Sequence, residues 1–258
     1  MCLVAFAWKA SLQYKLLLVA NRDEYLDRST RAASFQGDVL AGKDLQAGGT
    51  WLGVTRRGRI AAVTNFRSVD SRSQLAKSRG LLVSDFLATN GSVQDYLVQL
   101  DTQREEYKPF NLLLYDGREL VCYNSKTNRV DQVEAGIYAL SNQFLDSDWP
   151  KQNRIKQALK RLLDVKNSID AEDLFEIMAD DEPANDNELP ETGVSLEWER
   201  RLSSVFIAGD DYATRSTTVL TLDYNSRCQF IEKTYPQQGR GEISCSKSFI
   251  LEPDVSES

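Results

Sequence analysis

Apolar residues in the first third of the chain come in short unbroken runs rather than at helical spacing. CLVAFAWKA and YKLLLVANRDE are two such runs separated by the polar SLQ. This predicts a hairpin whose strands are buried on both faces. GGTWLGVTRRGRIAAVTNFR repeats the pattern, with one run ending at Thr55, a turn through Arg57 and Gly58, and a second run. From Arg79 to Leu100 the spacing becomes helical. GLLVSDFLATNG stops at Asn90-Gly91, and Ser92 is placed to cap a second helix over VQDYLVQL.

Strand signals return in FNLLLYDGRELVCYN, where Asp116-Gly117 marks a hairpin turn, and in GIYALSN. Pro150 then opens a helix with Ile155, Leu159, Leu162 and Leu163 on one face. SIDAEDLFEIMAD predicts another, capped by Ser168 or Asp170. The acidic DDEPANDNELPETG reads as a solvated loop. SVFIAG, TTVLTLDY, CQFIEKTY and SFIL predict four closing strands. Sequential hairpins favour antiparallel sheets, and the helices fall in two blocks between blocks of strands. The pattern predicts an α+β domain over residues 1–258: two packed sheets covered by helical layers.

Composition narrows the function. Hydrophobic residues make up 41% and charged residues 27% of the 258 positions, as in an ordinary globular protein. The net charge of −7 and a pI near 4.9 argue against nucleic acid as a partner, since phosphate binding needs clustered cations. No run approaches the ~20 apolar residues of a membrane span. Cys2, Cys122, Cys228 and Cys245 are too scattered for a zinc site or a disulfide framework. Reduced thiols point to a cytoplasmic protein.

The chain has no histidine. That excludes a Ser-His-Asp triad, a Cys-His dyad and any imidazole metal site. A covalent catalyst would need another base: a lysine beside a serine, or the α-amine of a nucleophile that is itself the first residue. Cys2 meets the second condition if Met1 is removed, as it generally is before a small residue. An α-amine titrating at roughly 7.7 to 8.0 suits a general base near neutral pH. The bland alternative for Cys2 is a small residue starting a strand.

LLLVANRDEY, with MCLVAF, GGTWLGVT, VTNFR, KSRGLLVSDFL, YALSN followed by DWPK, and DYATRSTTVLTLD, closely resembles the NRDE family, also called transport and Golgi organisation protein 2. The match runs from Cys2 to about Tyr235. That family in turn looks like the N-terminal nucleophile hydrolases of the penicillin acylase and bile-salt hydrolase type. The resemblance implies a four-layer αββα sandwich and a processed N-terminal cysteine that cleaves a C–N amide bond of a small acylated metabolite, with no cofactor.

Carried over residue by residue, the resemblance makes Cys2 the nucleophile, Arg22 a cation favouring thiolate, and Asp23 the carboxylate that orients the amine. Asn65 and Asn142 would be oxyanion-hole donors, and Arg215 a further active-site arginine. In an extended strand, however, Arg22 shares a face with Glu24 rather than with Asp23. Both Arg22 and Asp23 reach Cys2 only if the strand bends or bulges, so Asp23 and Glu24 compete. NRDE could equally be an ion-paired structural corner, and the two asparagines could bond backbone at strand ends. The glycines and Trp51 of GGTWLGV read as a tight turn and a core anchor. A different class of function is a carrier of haem or a lipid or acyl ligand, roles with which the family has been associated. A haem ligand here would have to be Cys, Met or Tyr.

Overall fold

A computed structural model of the chain describes residues 2–67, 76–166, 168–235 and 241–252. The elements in order are β1 (Cys2–Trp8), β2 (Tyr14–Tyr25), β3 (Thr30–Gln36), β4 (Val39–Asp44), β5 (Leu52–Thr55), β6 (Ile60–Asn65), α1 (Gly80–Ala88) and α2 (Val93–Asp101). There follow β7 (Phe110–Tyr115), β8 (Leu120–Asn124), β9 (Arg129–Gln132), β10 (Gly136–Leu140), α3 (Pro150–Val165), α4 (Ala171–Ile177) and α5 (Leu196–Arg201). The chain closes with β11 (Tyr212–Asp223), β12 (Arg227–Thr234) and β13 (Glu242–Ile250).

Two antiparallel sheets form, with strand orders β10-β1-β2-β11-β12-β13 and β3-β4-β5-β6-β7-β8-β9. Strand alternation sorts the apolar residues into three layers. Val4, Phe6, Leu16 and Leu18 join Leu52, Val54, Leu113 and Leu220 between the sheets. Leu3, Ala5, Leu17 and Val19, on the opposite face of the same hairpin, pack on Ile155 and Leu159 of α3 and Leu174 of α4. Ala61, Leu112 and Leu114 face Leu82, Phe86 and Tyr96 of α1 and α2. The result is α+β, a four-layer αββα sandwich. Both faces of β1 and β2 are covered, as their unbroken apolar runs require.

Local signals act as expected. Ser92 caps α2 in a reciprocal box with Asp95, and Asp170 rather than Ser168 caps α4 in another with Asp173. Pro150 sits in the first turn of α3, and Gly117 takes φ 101° in the β7–β8 turn. One expectation is corrected: SVFIAG, residues 204–209, is not a strand. The Phe206 N–H bonds the Asp180 carbonyl, and the Ile207 N–H bonds the Thr214 hydroxyl, so neither joins a ladder. Val205 and Ile207 are buried in two separate core clusters, which makes the segment read like a strand. Among the described residues no helix is long and apolar enough to cross a membrane.

Candidate active site

β1 begins at the cleft, where Cys2 lies opposite Arg22 in the antiparallel ladder with β2. On its other side β2 pairs with β11. There Arg22 faces Ser216 and Asp23 faces Thr214, so Arg215 is the extra residue of a bulge. The irregularity demanded by the sequence is therefore present, on the neighbouring strand. Bulges increase local twist, and here Arg22, Asp23 and Glu24 all border one cleft with Cys2 and Asn65. The cleft has a volume of about 390 Å³ and is also lined by Trp51, Arg79 and Lys108.

Arg22 is buried on the inter-sheet side. Its guanidinium lies 4.4 Å from the centre of the Trp51 ring, and one of its nitrogens is 3.8 Å from Glu24 and 3.7 Å from Asp44. Trp51 can lie there because a Cβ on Gly42 would meet its ring at 2.4 Å. Trp51 is thus both a core contact and a wall of the cleft. Glu24 is shared with Arg28, 3.7 Å away, which also holds Asp44 at 2.7 Å.

Asp23 emerges on the helix-layer side. Its carboxylate accepts the Thr214 hydroxyl at 2.7 Å, and its backbone carbonyl accepts the Tyr212 hydroxyl at 3.1 Å. Burial pushes its carboxyl above the usual range, against the pull of Lys151. Burial likewise pushes the Cys2 thiol up, and Asp23 adds to the rise while Arg22 opposes it. Arg22 does favour thiolate, but burial and the Asp23 carboxylate outweigh the guanidinium, whose charge is also directed at Glu24 and Asp44.

Asn142, fully buried, does not line the cleft. Its amide donates to the Asn65 carbonyl at 2.9 Å, while its oxygen accepts from Ser141 at 3.2 Å and Lys151 at 3.4 Å. An ammonium can only donate and a carbonyl can only accept, so these partners fix the amide's orientation. Ser141 also donates to the Cys2 carbonyl at 3.2 Å. Asn142 therefore ties the end of β6 to that of β10, and Asn65 alone of the two asparagines borders the cleft. Arg215 does not border it either. Its guanidinium caps the Tyr25, Leu26 and Arg28 carbonyls at 2.9, 3.1 and 3.4 Å, closing the corner after β2.

Lys151 was not singled out from the sequence. It is 2% exposed, within the first turn of α3, and burial lowers its ammonium to about 8, with Arg67 adding to the fall while Asp23 and Cys2 oppose it. A signal existed: a cation in a helix's first turn opposes the macrodipole, so DWPK is a locally unfavourable choice.

Residues 1–237 match the family Transport and Golgi organisation 2. The chain belongs to that family. The Transport and Golgi organization protein 2 homolog of Bos taurus is 29% identical over 261 residues, covering 91% of this chain and 93% of the relative. The corresponding Drosophila melanogaster protein is 25% identical over 263 residues, covering 91% and 92%. Solved structures show the fold of this family member. An N-acylethanolamine-hydrolyzing acid amidase ortholog from Caenorhabditis elegans matches with TM-score 0.51 and 9% identity, over 85% of this chain and 92% of that one. A variant of the conjugated bile acid hydrolase from Clostridium perfringens matches with TM-score 0.51 and 11% identity, over 100% and 99%. Both carry the N-terminal nucleophile hydrolase fold.

Proposed function

We propose that this member of the Transport and Golgi organisation 2 family is an N-terminal cysteine hydrolase cleaving a C–N amide bond of a small acylated metabolite. The observation that carries the reading is Cys2 opposite Arg22 at the end of the central hairpin, bordering a polar cleft together with Asp23 and Asn65. Met1 lies outside the described residues, and its removal is part of the proposal.

A neutral thiol is the resting form that burial favours. It requires a base at the moment of attack, which the freed α-amine of Cys2 supplies. The proton passes from sulfur to nitrogen as sulfur bonds the carbonyl carbon. The resulting oxyanion takes hydrogen bonds from Asn65, which Asn142 holds through its backbone carbonyl. Collapse of the intermediate breaks the C–N bond, and the departing amine leaves with the proton held on the ammonium. Water then hydrolyses the thioester and restores the thiol. Asp23 orients the amine, and Lys151 offsets the carboxylate's charge. Arg215 serves the site by keeping the β2 corner in place.

The same cleft bears on the carrier reading. Among its described lining residues Cys2 is the one group of the Cys, Met and Tyr types able to ligate haem iron, and burial raises its thiol. Charged and polar side chains dominate the walls, which suits a polar metabolite better than a macrocycle.

The test is to incubate protein beginning at Cys2 with a chloromethyl ketone analogue of an acyl group, then to locate adducts by mass spectrometry. A single adduct at Cys2, abolished when Met1 is retained, supports the reading. Absence of an adduct at Cys2, or equal labelling with Met1 in place, overturns it. A Soret shift on haem titration, lost in Cys2→Ala, would favour the carrier instead.

A further inference from the structure

A second chamber of about 210 Å³ lies on the other side of the Arg22–Trp51 stack, lined by both of these residues and by Arg215, Ser216, Glu232 and Tyr235. Four of its lining residues each bring a buried polar atom that has no partner among the described residues. These are Arg22 Nη1, Arg215 Nε, Ser216 Oγ and Glu232 Oε2. Arg22, Ser216 and Glu232 are 5%, 4% and 1% exposed, so bulk water does not serve them. Leaving one buried polar atom unmatched costs about 1–3 kcal/mol, and four around one chamber are not accidental packing.

We propose that this chamber is a binding site for a small monocarboxylate bearing a hydrogen-bond donor, such as an α-hydroxy acid. The two guanidinium nitrogens are donors seeking acceptors, and a carboxylate offers two oxygens. Glu232 Oε2 seeks a donor, because its other oxygen is already occupied by the Ala33 N–H at 2.7 Å and the Ser244 hydroxyl at 3.4 Å. A hydroxyl on the ligand fills that role, and the Ser216 hydroxyl can give or accept as the pose requires. Glu24 and Asp44 are shared by Arg22 and Arg28, so within the chamber Arg215 faces Glu232, whose carboxyl burial pushes up to about 7. At most one positive charge remains for a ligand, which suits a monoanion better than a phosphate dianion.

The remainder of each arginine is firmly held, Arg22 by Trp51 and the carboxylates and Arg215 by three carbonyls, so the donors are fixed in place before a ligand arrives. Because Arg22 borders both chambers, the site is adjacent to Cys2 but does not depend on any reaction there.

Isothermal titration of the full chain with sodium glycolate, acetate and inorganic phosphate tests the proposal, together with a crystal soaked in glycolate. Ser216→Ala removes a hydroxyl that has no partner, so the fold is retained. Glycolate should bind more tightly than acetate or phosphate, and S216A should weaken glycolate about tenfold, the equivalent of one hydrogen bond. In the crystal, the glycolate carboxylate should lie against Arg22 and Arg215. Equal affinity for glycolate and acetate, tighter binding of phosphate, no change in S216A, or water alone in the chamber would each overturn the assignment.

Discussion

Replacing Lys151 by Met should reveal a pH-dependent contribution to stability that this lysine makes in the native protein. Its ammonium falls from the ordinary 10.5 to about 8 because burial removes it from water. At 1.36 kcal/mol for each tenfold change in proton affinity, that difference corresponds to about 3 kcal/mol. Below pH 8 both the folded and unfolded chains carry the proton, and the folded one bears the cost of a buried charge. Between pH 8 and 10.5 the folded lysine releases its proton while the unfolded one keeps it. The unfolded state then binds more protons, so stability rises with pH. The gain is complete above 10.5.

The measurement is urea unfolding, followed by tryptophan fluorescence, of the parent and Lys151→Met at pH 7.5, 8.5 and 9.5. Both proteins should carry Cys2→Ala, so that the neighbouring thiol does not titrate in the same window. Subtracting one series from the other cancels the tyrosines. The parent should gain on the variant by about 0.7 kcal/mol from pH 7.5 to 8.5 and about 1.2 kcal/mol from 8.5 to 9.5. A flat difference would mean that the lysine is not buried as a charge, and the electrostatic account of the site would fail with it.

Three further outcomes follow from the same geometry. Gly49 has φ 73°, and a Cβ there would lie 2.3 Å from the Gly80 carbonyl carbon, whereas Gly37, with φ 61°, would meet nothing within 4 Å. Gly49→Ala should therefore cost about 3 kcal/mol or more in urea unfolding and Gly37→Ala about 1 kcal/mol; equal losses would refute the close-approach argument. Asn111 donates to Thr64, Ser141 and Gln143 and accepts from Asn124, all within the interior. Asn111→Leu should lower stability by about 3 kcal/mol, and a loss below 1 kcal/mol would show that these groups find other partners. In the chain with Met1 in place, Cys2 alkylation by iodoacetamide should keep accelerating beyond pH 9, while Cys122 and Cys228, buried and pushed up to about 12, stay unmodified in the native protein. A rate that levels off below pH 8 would contradict the raised Cys2 thiol.

The layering was legible because central strands must be apolar on both faces, and the chain writes them as unbroken runs. The edges were not. β3 and β9 lie at the two ends of the seven-stranded sheet and β13 ends the other. Their burial is intermittent or slight, so TRAASFQ, RVDQ and the first half of EISCSKSFI carry little hydrophobic signal. SVFIAG failed in the opposite sense, being apolar without belonging to a sheet. At the site, Cys2, Arg22 and Asp23 converge because β1 and β2 are sequence neighbours whose register follows from their hairpin, while Asn65 arrives from β6 of the other sheet. Lys151 escaped notice because its surroundings, Asp23, Cys2 and Arg67, come from distant parts of the chain, and spacing says nothing about those approaches.

The alternation that made NRDE look awkward explains how the site is divided. Consecutive residues on β2 face opposite layers, so Arg22 and Glu24 serve the inter-sheet side and Asp23 the helical side. A first-residue nucleophile needs two different kinds of support, one for sulfur and one for nitrogen, and a single thiol face could not supply both. In the proposed reaction Cys2, at the start of β1, lies across the ladder from Arg22 and borders the cleft together with Asp23 and Glu24. Glu24 is occupied by Arg22 and Arg28. Asp23 has Thr214 as its hydrogen-bonded hydroxyl and Lys151 as its nearby cation on the helical side. On that division Asp23 is the carboxylate expected to act on the amine, and Glu24 the one that keeps Arg22 pointed into the cleft wall.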